Sequence, residues 1–284
     1  MQQIGDPTDA DYRQLIRGLT FRIKVEGPID APAVLFSNSL LTDLSLWDAQ
    51  AMLLRDRFRV VRYDQRGHGY TDLRQHVCSL EELADDVAAI LDFLEIKKIS
   101  YVGLSMGAAT GLSFAQRHRD RLFAIMLCGS SDRSPENAAE VWASRVALAK
   151  QKGMSSLLEV TLERWLHSNT LKEKPAVVDW LRSILRRSSL AGYEACASAL
   201  ADFDLSTALL GYSGKVAFVA GEGDGQIPSL MLAMSRQHEH SCFCEIAQAG
   251  HMPNIENPDR FNNIMMSWLL APDSKNLSVA TVAW

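Results

Sequence analysis

Short runs of apolar and β-branched residues alternate along this chain with longer stretches whose apolar residues recur every three or four positions. The short runs are "TFRIKVEG", "AVLFSNS", "FRVVRYD", "ISYVGLS", "LFAIMLCG", "KVAFVAGEGD" and "CFCEIAQ". Each reads as a strand. Among the longer stretches, Ser79 to Ile96 sets Leu83, Val87, Ile90, Leu91 and Leu94 on one helical face. Ser79 is its N-cap, and Glu82, three residues on, completes a capping box. Apolar strands followed by amphipathic helices predict an α/β fold with a mainly parallel sheet covered on both faces.

The alternation stops after Gly129. From about Ser134 to Phe203 the pattern is helical throughout, and strands resume at Lys215. The chain therefore divides into a core, residues 1–131 and 204–284, and an all-helical insertion, residues 132–203, packed as a cap over one edge of the sheet. No internal repeat interrupts this order. The final "APDSKNLSVATVAW" lacks caps and periodicity and is read as loosely held.

Composition narrows the function classes. With 284 residues, 47% of them hydrophobic, the chain can bury a sizeable core as one large domain or one domain with an insertion. The formal net charge is −5, and no basic stripe interleaves with aromatics, so nucleic acid is not an expected partner. The basic pair Arg186 and Arg187 in "LRRSS" reads as a solvated helix face. Apolar runs are too short to span a bilayer, which needs roughly 20 residues, and the polar, acidic "MQQIGDPTDADYRQ" is unlike a signal peptide. Five scattered cysteines do not form a disulfide framework. The pair Cys242 and Cys244 falls on one strand face, but no second pair at zinc spacing joins it, so it reads as structural thiols. A soluble cytoplasmic protein with no metal or cofactor and a small-molecule partner is expected.

The candidate chemistry begins in "SYVGLSMGAATGLSFAQRH", where Ser105 lies between Gly103 and Gly107 at the junction of a strand and a helix. A turn that tight forces its central residue into a strained backbone conformation and leaves no room for side chains two residues either way. The strain lifts the hydroxyl clear of the sheet and aims the first N–H groups of the helix at the same spot. Such a serine is a candidate nucleophile and needs a base.

Seven histidines are available. His76 and His118 sit in polar surroundings, His167 in the helical block, His238 and His240 at the end of an exposed helix, and His68 where it can order a loop. His251 follows the last strand in "IAQAGHMPNIENP", between Gly250 and a proline-containing loop, and is the candidate base. An acid must hold its tautomer. Asp224, in the loop after "VAFVAGEG", is better placed than Glu222, which is the alternative. The order Ser105, Asp224, His251 is that of α/β-hydrolases. The loop "LFSNSLLTDLSLWDAQ" puts Asn38 and Ser39 where many such enzymes have His-Gly, so that the Leu40 N–H joins that of Met106 as an oxyanion donor.

With these residues in view, the chain resembles the 3-oxoadipate enol-lactonases, a branch of the α/β-hydrolases. The similarity is carried by "SNSLLTDLSLWDAQ", "FRVVRYDQRGHG", "GLSMGAATG", "GHMPNIENPDRFN" and the "ERWL" segment of the insertion, and runs roughly from Phe21 to Leu269. SNSL in place of His-Gly is its most discriminating part. The resemblance implies Ser105 as nucleophile, His251 as base, Asp224 as acid, Leu40 and Met106 as oxyanion donors, a four-helix cap, and a place in aromatic-compound catabolism by the β-ketoadipate route. Two positions depart from the family. Leu41 stands where glycine is usual, and either narrows the pocket or changes the loop backbone. Ala108 replaces a frequent glycine inside a helix, where alanine is the better former.

The expected activity is hydrolysis of a small carboxylated enol-lactone through an acyl-enzyme. The substrate's free carboxylate needs a cation, and Arg164 beside Trp165 in the insertion can supply it. An esterase, another lactonase or a carbon–carbon bond hydrolase would use the same three residues. A ligand-binding receptor on a hydrolase scaffold belongs to a different class, separated by turnover of a carboxylated enol-lactone.

Overall fold

The computed structural model describes residues 9–74 and 77–271. His76, residues 1–8 and the C-terminal stretch from residue 272 lie outside the described residues. Every apolar run singled out in the sequence is a strand: β2 (Leu19–Glu26), β3 (Ala33–Ser37), β4 (Arg59–Tyr63), β5 (Ile99–Leu104), β6 (Leu122–Cys128), β7 (Lys215–Gly221) and β8 (Ser241–Ile246). With β1 (Asp9–Ile16) they form one eight-stranded sheet in the order β1-β2-β4-β3-β5-β6-β7-β8. From β4 to β8 all neighbours are parallel, whereas β1–β2 and β2–β4 are antiparallel.

The sequence pattern did not reveal β1. It is an edge strand whose residues alternate between exposed and half-buried until Ile16, so no fully apolar face marks it. What makes it a strand is its turn: Arg17 and Gly18 have φ of 49° and 76°, the two-residue geometry that suits a twisted hairpin, and the register runs from Ile16↔Leu19 to Asp9↔Glu26.

After β3 the chain moves to β4 on one side and then returns to β5 on the other. Strand order reverses there, and the loops leaving the carboxyl ends of β3 and β5 separate to open a crevice, the usual ligand position in such sheets. Ser37 is paired with Gly103 at that end of the sheet. The segments carrying Leu40 and Ser105 thus leave adjacent strands at the same level.

Around the sheet lie α1 (Asp48–Leu54), α2 (Leu80–Phe93), α3 (Met106–Arg117), α9 (Ile227–Ser235), the short α10 (Pro253–Glu256) and α11 (Pro258–Leu270). The capping box of α2 is formed: Glu82 N–H donates to Ser79 Oγ (3.3 Å) and Ser79 N–H to Glu82 Oε2 (3.1 Å). Among the described residues no helix is long and apolar enough to cross a membrane.

Between β6 and β7 run α4 (Ala138–Lys152), α5 (Leu158–Trp165), the short α6 (Ser168–Glu173), α7 (Pro175–Arg187) and α8 (Leu190–Ala201). Four longer helices and one short one make up this inserted cap. Arg133 and Asp204 form an isolated antiparallel bridge at its neck. The cap covers the carboxyl ends of the strands. At one point it meets the core backbone to backbone: a β-carbon on Gly192 would lie 1.9 Å from the carbonyl oxygen of Gly67, in the loop after β4. Arg187 is not merely a solvated face residue. Its guanidinium pairs with Asp43 at 3.0 Å, tying the end of α7 to the loop after β3.

Candidate active site

Ser105 joins β5 to α3 with φ 55° and ψ −114°. The strain that the sequence anticipated is present, and the flanking glycines are required by contact with backbone. A β-carbon on Gly103 would meet the Gly107 carbonyl oxygen at 2.3 Å, and one on Gly107 would meet the Ser37 carbonyl oxygen at 2.2 Å. The second contact lies between the elbow and β3, so glycine at 107 lets the two crevice-forming segments approach each other. Ser105 N–H donates to the Cys128 carbonyl at 2.8 Å, which anchors the strained residue to β6. Met106 opens α3 and its N–H has no preceding turn to bond. Among the described residues neither this N–H nor that of Leu40 donates a hydrogen bond.

His251 sits between β8 and α10. Its Nδ1 lies 2.8 Å from Asp224 Oδ2. Glu222 points away and accepts the Gln248 N–H at 3.0 Å on the surface. Of the two acids left open by the sequence, the structure pairs Asp224 with His251. Ser105 and His251 line the same cavity without a hydrogen bond between them, a contact that commonly tightens only when substrate is bound.

The backbone around His251 is held by groups that the sequence pattern did not mark. Glu256 is fully buried, and its Oε1 accepts the N–H groups of Gly250 (2.8 Å) and Met252 (3.2 Å), one on each side of His251. Its Oε2 accepts the His167 N–H from the cap at 2.7 Å. Glu256 comes five residues after His251 in a stretch of proline and asparagine, where no periodicity distinguishes a buried carboxylate from a solvated one. Trp165 also serves the histidine. Its carbonyl accepts the His251 N–H at 2.6 Å, and the rings stack with centroids 5.8 Å apart. Only 2% of Trp165 is exposed.

The loop after β3 is equally constrained. Leu41 has φ 67°, the left-handed region that glycine enters freely. Leucine here adopts a backbone conformation open to glycine, and its side chain lines the cavity. The Leu41 N–H donates to Nε2 of buried His68 at 3.0 Å. Asp64 accepts the N–H groups of Leu44 (2.7 Å) and Tyr70 (2.9 Å) and so joins this loop to the one after β4. Burial pushes its carboxyl up to about 6 against those two bonds.

The cavity shared by Ser105 and His251 is narrow, about 120 Å³, and is roofed by the cap residues Trp142, Arg145, Arg164 and Tyr193. Larger hollows exist, one of about 1000 Å³ beside Ile29 and Phe123 at the opposite end of the sheet, but they do not include the strained serine. Arg164 reaches the cavity as the sequence suggested, and a second guanidinium, Arg145, accompanies it. The i,i+3 spacing of Trp142 and Arg145 puts both on one face of α4, but nothing in the sequence turned that face toward Ser105. Among the described residues neither arginine forms an ion pair. Arg145 lies 5.2 Å from the Trp142 ring centre and Arg164 5.9 Å from that of Trp165. Part of Arg164 is solvent-accessible, yet protein crowds its guanidinium. Burial, with the neighbouring Arg145 charge, lowers its pKa to about 10. Two cations sharing a narrow cavity without a carboxylate partner favour an anion between them.

The fold is shared with known proteins. Residues 32–258 match the alpha/beta hydrolase fold family. The 3-oxoadipate enol-lactonase 2 of Acinetobacter baylyi is 31% identical over 240 residues, which cover 84% of this chain and 88% of that protein. The crystal structure of the enol-lactonase from Burkholderia xenovorans LB400 is similar with a TM-score of 0.86 and 30% identity, covering 91% of this chain and 99% of that one. A malate-bound thermophilic esterase from Thermogutta terrifontis is similar at a TM-score of 0.84 and 28% identity, over 92% and 97% of the two chains. The chain belongs to the α/β-hydrolase fold family, in the branch that holds the 3-oxoadipate enol-lactonases, and is a carboxylic ester hydrolase.

Glu256→Gln tests the clamp around His251. An amide offers one acceptor oxygen where the carboxylate offers two, and its NH₂ must face a backbone N–H. The variant is expected to lose about 1.5–3 kcal/mol in urea unfolding, the range for hydrogen bonds to a charged group. Wild-type stability would show that these N–H groups do not depend on the carboxylate.

Proposed function

We propose that this α/β-hydrolase opens a small carboxylated enol-lactone, of the 3-oxoadipate enol-lactone type, through an acyl-enzyme on Ser105. The observation that carries the proposal is a strained serine in one narrow cavity with a histidine whose Nδ1 is 2.8 Å from a carboxylate. In the reaction, Ser105 Oγ attacks the lactone carbonyl while His251 Nε2 takes its proton. Asp224 holds the opposite nitrogen as a donor and stabilises the imidazolium. The N–H groups of Leu40 and Met106 receive the oxyanion. The tetrahedral intermediate collapses, the ring C–O bond breaks, and His251 protonates the departing enol oxygen. That enol becomes a ketone, which draws the reaction toward product. Water, deprotonated by His251, then attacks the acyl-enzyme and frees the serine.

The anionic substrate is supported by Arg145 and Arg164, which line the cavity and form no ion pair among the described residues. The malate carried by the similar esterase is itself a dicarboxylate. A small lactone suits the space left beside Leu41 and Trp165. A cytoplasmic setting belongs to the same proposal, and five free thiols suit a reducing compartment. A broader esterase activity is the second reading, favoured by the similarity to the same esterase.

For the acid, Asp224→Asn is expected to lower kcat by about three to four decades, because an amide favours the wrong histidine tautomer. Glu222→Gln is expected to leave the rate within about twofold, since surface substitutions away from such features change little. The reverse ranking would move the role to Glu222.

For the substrate, Arg145→Met and Arg164→Met keep much of the side-chain packing while removing a charge. Each is expected to lower kcat/KM for the carboxylated enol-lactone about 10- to 100-fold, corresponding to roughly 1.5–3 kcal/mol for a charged hydrogen bond. A neutral aryl ester should be hydrolysed almost as before. An equal loss on both substrates would indicate a damaged cap and remove the support for an anionic substrate.

A further inference from the structure

The loop after β3 carries more restraint than its own turn supplies. Thr42 N–H and Oγ1 both donate to the Ser39 carbonyl, at 3.2 and 2.8 Å. With φ positive at Leu41 but not at Leu40, the four residues from Ser39 to Thr42 form a turn of the type that wants glycine in its third position. Leucine occupies that position here, so the turn is strained.

Both backbone polar groups of Leu41 are tied from outside the turn. Its N–H donates to His68 Nε2 at 3.0 Å, and its carbonyl accepts the Ser188 hydroxyl at 2.8 Å. His68 Nδ1 lies 3.1 Å from the Arg66 carbonyl, an arrangement that leaves Nε2 as the acceptor. Burial lowers the His68 pKa and favours that neutral form. Arg66 is in turn fixed by two bonds to Asp86, at 2.7 and 2.8 Å. One restraint therefore comes from the core and the other from the cap, where Ser188 follows the Arg187 that pairs with Asp43.

We infer that His68 and Ser188 are positioning residues, which hold the strained turn carrying the Leu40 N–H so that seating of the cap completes the oxyanion site. Their role rests on the proposal that Ser105 is the nucleophile and Leu40 an oxyanion donor. Neither side chain lines the cavity, so neither binds substrate. An oxyanion donor strengthens its bond only as the carbonyl carbon becomes tetrahedral. Misplacing it lowers kcat and spares KM. The loss falls equally on a charged lactone and a neutral ester, because both present the same carbonyl.

The test compares Ser188→Ala and, separately, His68→Gln with the wild-type enzyme on a carboxylated enol-lactone and a neutral aryl ester. Each variant is expected to lower kcat about tenfold or more, short of the 10²–10³ that loss of an oxyanion donor costs. KM should stay within about twofold on both substrates. In a Leu41→Gly background, where the turn needs no external hold, Ser188→Ala should cost clearly less than it does alone. Three outcomes would overturn the inference: an unchanged kcat in Ser188→Ala, a loss confined to KM or to the carboxylated substrate, or full additivity with Leu41→Gly. Ester hydrolysis that persists in Ser105→Ala would overturn the underlying reading as well, whereas an inactive Ser105→Ala beside a fully active Ser188→Ala would overturn only the inference.

Discussion

A serine at φ 55° and ψ −114° is in an uphill backbone conformation, and it persists only where the surrounding structure leaves no alternative. Here the surroundings are two strands and a helix whose backbones approach so closely that no β-carbon fits at Gly103 or Gly107. The Cys128 carbonyl holds the serine N–H from the next strand. Because β3 and β5 are neighbours at the point where strand order reverses, the Leu40 loop and the first turn of α3 converge without any long-range folding device.

The cap does more than cover this arrangement. It reaches His251 through the Trp165 carbonyl and through His167, which donates to the same carboxylate that grips the histidine's neighbours. It reaches the opposite side through Ser188 and Arg187. Between those two anchorages it presents Arg145 and Arg164 to a space of about 120 Å³. An anion entering there meets two guanidiniums that form no ion pair among the described residues. The two guanidiniums thus belong to the insertion, and Ser105, Asp224 and His251 to the sheet and its loops.

Much of this was legible from residues alone. The strands from β2 to β8 are short apolar runs with sharp ends. The capping box at Ser79 is a local pattern, and the elbow is spelled by glycines whose spacing has a steric cause. Asp224 was separable from Glu222 because it lies beyond the apolar run, in the loop proper. The remainder depended on distance in space. The strand β1 has no buried face and is defined by its hairpin partner. Glu256 and Arg145 are ordinary charged residues until the fold brings one to buried N–H groups and the other over Ser105. Trp165 lines the cavity, and its carbonyl bond and ring contact to His251 join residues 86 apart in the chain. Arg187 looked solvated because its partner, Asp43, is 144 residues away in the chain.

The central claim is that the strained serine is the group that becomes acylated. It is tested most directly by covalent capture: treatment with a fluorophosphonate, followed by peptide mass spectrometry and parallel measurement of ester hydrolysis. A single phosphonyl group on the peptide containing Ser105, formed in step with the loss of activity and absent from Ser105→Ala, is the predicted result. Labelling at another residue, or hydrolysis that continues once Ser105 is fully modified, would contradict it.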